Sequence, residues 1–65
     1  MSTWEQHTRT VRRAAGMVSV QAACSLDEAV VLMDERAQVI GQSREAIATA
    51  VVERLIWFDR VAEPQ

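Results

Sequence analysis

The chain has 65 residues, and its seven basic residues, all arginine, stand against nine acids for a formal net charge of −2. At this size only about 60% of the unfolded surface is buried, so a single domain is expected whose stability leans on helix packing or a partner chain. The single Cys24 excludes an internal disulfide, the lone His7 excludes a zinc site, and runs such as "AVVLM" and "LIWF" are too short to cross a membrane. With no leader pattern in "MSTWEQHTRTVRR", the expected compartment is the cytoplasm and no membrane partner is expected.

The first predicted helix runs from Trp4 to Ala22. Turning each residue by about 100° gathers Trp4, Val11, Ala14, Ala15, Val18 and Ala22 into one broad apolar stripe, with His7 on it as a packing residue. The opposite face carries Arg9, Arg12 and Arg13. Gly16 falls on that same face, where its cost in a helix interior calls for a compensating close approach by a ligand or another helix.

"SLDE" opens the second helix as a capping box, with Ser25 and Glu28 satisfying each other's backbone N–H groups and Asp27 and Glu28 suiting the positive end of the dipole. Leu26, Ala29, Val30, Met33, Ala37 and Ile40 form its stripe, and Gly41 stops it by supplying a left-handed residue. Ser43 caps a third helix with the stripe Ile47, Ala48, Val51, Leu55 and Phe58, which is expected to run on towards Pro64. Its second apolar strip, Ala46, Ala50, Trp57 and Val61, would stay outward and is the expected seam of a homodimer. No strand, repeat or linker is evident. The expected fold is an all-α three-helix bundle, dimeric, with short connections.

"AAG" at 14–16, Cys24 and Ser25 at a turn, "DEA" at 27–29, Ala37, and "IATAVV" with Ala48 and Val51 together resemble the ANTAR family of RNA-binding antiterminator domains from bacterial signalling proteins. The match runs without a gap from Val11 to Val52, leaving residues 53–65 as an extension of the third helix and a tail. The chain departs from the family at Ala15, where a lysine is usual, at Ser19, where a large apolar residue is usual, and at Ala23, where glycine is usual. Ser43 and Arg44 stand in place of a Lys-Leu pair. The resemblance implies one three-helix domain, residues 1–65, that binds terminator or antiterminator stem-loop RNA and takes its input from a sensor or signalling protein.

Two groups of residues are candidates for RNA. Arg9, Arg12 and Arg13 beside Gly16 offer guanidiniums to phosphates at a place where a backbone can come close. Gln42 and Arg44 stand at the start of the third helix, where free N–H groups and the dipole suit an anion. The bland alternative for both is a solvated face and a polar turn. Stacking of unpaired bases wants an aromatic platform, and the supply is Trp4, Trp57 and Phe58, read as packing or interface residues. Nothing holds Cys24 and His7 together as nucleophile and base, and the adjacent acids Asp27-Glu28 and Asp34-Glu35 point in different directions, so neither an enzyme nor a cofactor is expected. Three classes stay open: an RNA-binding antitermination module, a homodimerisation or protein-interaction bundle, and a DNA-binding helix-turn-helix around Gly41, whose third helix is poor in cations.

Overall fold

Every helix begins where a hydroxyl can take up a free backbone N–H. In the computed structural model, which describes residues 4–58, Thr8 Oγ1 accepts from the Val11 amide at 3.1 Å and opens α1, Arg9–Ala22. The Ser25–Glu28 capping box is complete, its two hydrogen bonds measuring 3.0 and 3.1 Å, and opens α2, Leu26–Ile40. Ser43 Oγ accepts from Ala46 at 3.0 Å and opens α3, Arg44–Val52. The described residues contain no strand, and the all-α three-helix expectation holds.

The first helix starts later than its stripe suggests. Trp4–Gln6 is a short 3-10 turn, and Thr8 is extended, with φ −66° and ψ 163°, because its side chain serves as the cap. Its hydroxyl also donates to Glu45 Oε1 at 2.8 Å, which sets the start of α1 beside the start of α3.

All three helices end in the same hydrogen-bond pattern around a left-handed residue. At the end of α1, Ala23 takes φ 55°, and the Cys24 amide reaches back to the Ser19 carbonyl at 2.9 Å. At the end of α2, Gly41 takes φ 72°, and the Gln42 amide reaches Ala37 at 2.9 Å. At the end of α3, Arg54 takes φ 63°, with its own amide on Val51 at 3.0 Å and the Leu55 amide on Ala50 at 2.8 Å. Only one of the three positions is glycine. The third helix therefore closes at Val52, well short of the predicted extension, and the Ala46, Ala50, Trp57, Val61 strip is not one helical face. Ala46 and Ala50 lie on α3, Trp57 lies beyond its end, and Val61 is outside the described residues.

The core is apolar throughout, with no buried polar side chain among the described residues. Val11, Ala14, Ala15 and Val18 of α1 meet Ala29, Val30, Met33 and Ala37 of α2 and Ile47, Ala48 and Val51 of α3, with Phe58 closing one end. Two expected stripe members of α2, Leu26 and Ile40, are exposed, because each sits in a terminal turn beyond the reach of the other helices. Leu55 is 71% exposed for a related reason: the left-handed turn at Arg54 rotates it off the stripe that Ile47 and Val51 begin. The axis turns by 98° between α1 and α2. By contrast α3 runs alongside α1, with His7 touching Arg44 near their starts and Gln21 touching Phe58 at the far end.

An alanine held left-handed is strained by roughly 1–2 kcal/mol, part of which glycine gives back through its freer unfolded chain. Ala23→Gly is expected to stabilise the domain by about 0.5–1 kcal/mol, raising the midpoint of a thermal melt by several degrees. An unchanged or lower midpoint would contradict the turn geometry.

Candidate nucleic-acid interface

The outer face of α1 collects three of the predicted cations. Arg9 and Arg13 are exposed and Arg12 half-buried, and none of the three makes a hydrogen bond or ion pair among the described residues. The helix contains no acid, not even in its first turn, whereas α2 opens with Asp27 and Glu28 and α3 with Glu45. Cations near the positive end of a helix dipole are locally unfavourable, so the cluster does not owe its place to helix stability. Because the Glu45 carboxylate sits on the Thr8 cap at that end of the helix, an anion bound along the face would be attracted by the guanidiniums.

Gly16 lies on this face one turn beyond Arg12 and Arg13, and a Cβ built on it would meet no atom within 4 Å. Among the described residues, no other helix approaches it. The close approach that would account for a glycine is therefore open to something outside the chain. Ala15, where the resemblance leads to the expectation of a lysine, is fully buried and belongs to the core and not to the charged face.

The second predicted contact is already occupied. Arg44 Nε and Nη2 donate to the two carboxylate oxygens of Asp34 at 2.5 and 2.6 Å, and Nη1 donates to His7 Nδ1 at 3.2 Å. These bonds to Asp34 push the guanidinium above its ordinary pKa, against a smaller opposing effect of burial. Arg44 thus ties the approach to α1, the middle of α2 and the start of α3 into one polar clamp. The neighbouring Glu45 carboxylate adds negative charge at the same helix start. Gln42 is exposed on the turn, beside a site whose cation is spent. Arg44 is therefore a clamp residue and leaves the list of free phosphate contacts. Sequence reasoning does not pair Asp34 with Arg44, because a pair spanning ten residues and a turn has no local signature.

The remaining chemistry-bearing groups are also accounted for. His7 packs edge-on against Trp4, with ring centroids 5.9 Å apart. Cys24 lies beyond the other end of α1, a helix of 14 residues and so about 20 Å long at 1.5 Å per residue. Burial, helped by Glu28, pushes its thiol above the ordinary value, which disfavours the thiolate a nucleophile needs. It lines an open cleft of about 620 Å3 with Leu32, Val31 and Phe58. No group of three or more His, Cys, Asp or Glu among the described residues is placed to hold a metal ion. No single described helix is long and apolar enough to cross a membrane.

In comparisons with family models, with curated proteins and with solved structures, nothing matches this chain.

Because the space at Gly16 is empty, Gly16→Ala is expected to raise stability by about 0.5–1 kcal/mol through helix propensity alone. Urea or thermal unfolding checks this, and a destabilised variant would mean that a neighbour does pack on Gly16.

Proposed function

We propose that this chain is an RNA-binding regulatory module of the ANTAR kind, acting in transcription antitermination by holding stem-loop RNA on the outer face of α1. The observation that carries the reading is the set of three arginines that have no partner among the described residues, on an acid-free helix and around a glycine that leaves room for a backbone. Arg9, Arg12 and Arg13 take phosphates, and Gly16 lets the strand come within contact of the helix. The overall charge of −2 does not oppose this, because three of the seven arginines share the outer face of α1 and the described acids lie on other elements. Arg44 and Asp34 contribute by fixing how α3 sits against α1.

A second reading, a homodimerisation bundle, is favoured by the exposed apolar side chains Val39, Ile40 and Leu55, which a second copy would cover. The expected dimer would then use these residues in place of a helix-three seam. Sedimentation at tens of micromolar, with and without a two-hairpin RNA, separates a dimer that forms unaided from one assembled on RNA.

Arg9→Ala, Arg12→Ala and Arg13→Ala are each expected to weaken stem-loop binding and to lower the salt slope by roughly 0.7–0.9 per lost phosphate contact. Arg44→Ala should instead lower the melting temperature and leave that slope unchanged. Gly16→Leu should lose binding and keep its fold. Fluorescence anisotropy across a salt series reads all of these, and arginine variants that bind like the parent would overturn the assignment.

A further inference from the structure

The open cleft of about 620 Å3 lies at the corner where α2 leaves α1. The axis turns by 98° there, and the corner residues Ala22, Ala23 and Cys24 are too small to fill the angle. Phe58 forms a second wall, held by its amide bond to Gln21 Oε1 at 2.8 Å and by the Arg36 guanidinium 4.4 Å from its ring centroid. The remaining side is one stripe of α2, Glu28, Val31, Leu32 and Glu35, at the i, i+3, i+4, i+7 spacing that puts residues on a single face. Val31 is 53% exposed and Leu32 half-buried, so this apolar pair is left partly uncovered within the cleft.

The charge on this stripe stands at its two ends. Glu28 and Glu35 are a full two turns apart, about 10 Å along the axis, one on each side of the apolar pair. Glu28 accepts from the Ser25 amide, and its charge reaches the cleft, where after burial it is the second influence raising the Cys24 thiol. Glu35 makes no hydrogen bond or ion pair among the described residues. The guanidinium on the lining, Arg36, is taken up over the Phe58 ring. An apolar floor between two carboxylates is complementary in shape and charge to an amphipathic helix that carries apolar residues between two cations. We infer that the cleft is a docking site for such a helix of a partner protein, which presents aliphatic side chains to Val31 and Leu32 and a basic residue to each of Glu28 and Glu35. Ala22, at the α1 end of the cleft, lies about 120° around that helix from Gly16, on the side of the core. The docking site and the arginine face are therefore separate surfaces.

The inference goes beyond the RNA reading, and its test needs no nucleic acid. The probe is a synthetic alanine-based helical peptide with lysine at i and i+7 and leucine at i+3 and i+4, and two controls replace either the lysines by glutamate or the leucines by serine. Titrated into the labelled full chain, the probe should move the amides from Ala22 to Cys24 and from Val31 to Arg36 in a nitrogen–proton correlation spectrum and leave Gly16 in place. Neither control should do so. Glu35→Lys should weaken probe binding roughly tenfold at an unchanged melting temperature, and a probe with one lysine replaced by glutamate should recover most of the loss. A chain that binds none of the peptides, or all of them alike, would overturn the docking site. A parent dimer that Val31→Asp converts to a monomer would overturn it too, because a second copy would then cover the cleft. So would cleft amides that move when Arg60→Ser and Val61→Ser are introduced without any peptide, because the chain's own tail would then be the occupant.

Discussion

The geometry depends on how closely three helices can approach across alanine. Five of the twelve buried hydrophobic residues are alanines, Ala14 and Ala15 on α1, Ala29 and Ala37 on α2, and Ala48 on α3. Small side chains at the contacts let two helices press on the same half of α1, and the larger Met33, Ile47 and Phe58 fill the space around the crossings. With one half of α1 consumed in this way, its other half is free of intramolecular duty. That remaining half carries Arg9, Arg12, Arg13 and Gly16. The core and the candidate interface are therefore two consequences of one helix's division of labour.

Polar contacts then fix what the alanines leave adjustable. The pairing of Arg44 with Asp34 spans the turn at Gly41 and sets α3 against α2, while the bonds to His7 and from Thr8 to Glu45 set it against the start of α1. At the far end, Phe58 joins Gln21 of α1 to Arg36 of α2. Each contact is partly exposed and individually modest. Placed at opposite ends of the parallel pair α1 and α3, they resist different motions, one holding the starts of the helices together and the other the chain beyond α3. The cations spent in this framework, Arg36 and Arg44, differ from those on the outer face of α1 in having partners among the described residues. That difference, more than the number of arginines, distinguishes structural from available charge here.

What was legible in the sequence is the chemistry that acts within a few residues. Ser25 with Glu28, Ser43 before α3 and Gly41 after α2 all do what their residue types favour, and the buried stripes of the three helices follow the 3.6-residue period. What was illegible falls into two kinds. The end of α3 was missed because Arg54, not a glycine, adopts the left-handed conformation there, whereas the end of α1 at Ala22 was read correctly although Ala23 is left-handed too. At Arg54 the apolar period Val51, Leu55, Phe58 continues past a turn that the sequence does not announce. Pairings were missed where the partners are far apart in sequence, as with Arg44 and Asp34. The candidate site shows the same split, since the arginine face follows from the helical period, whereas the loss of Arg44 to a clamp depends on tertiary structure.

The chain contains only two glycines, and they sit at the two places that compete to be the RNA site. Gly16 lies at the centre of the arginine face, and Gly41 lies in the turn beside Gln42 and the start of α3. Their amide signals in a nitrogen–proton correlation spectrum fall in a distinct region and report separately on each place. Adding a stem-loop RNA to the labelled protein is expected to move the Gly16 signal, together with the amides from Arg9 to Arg13, and to leave Gly41 where it is. A spectrum in which Gly41 moves and Gly16 does not, or in which neither responds at saturating RNA, would contradict the account.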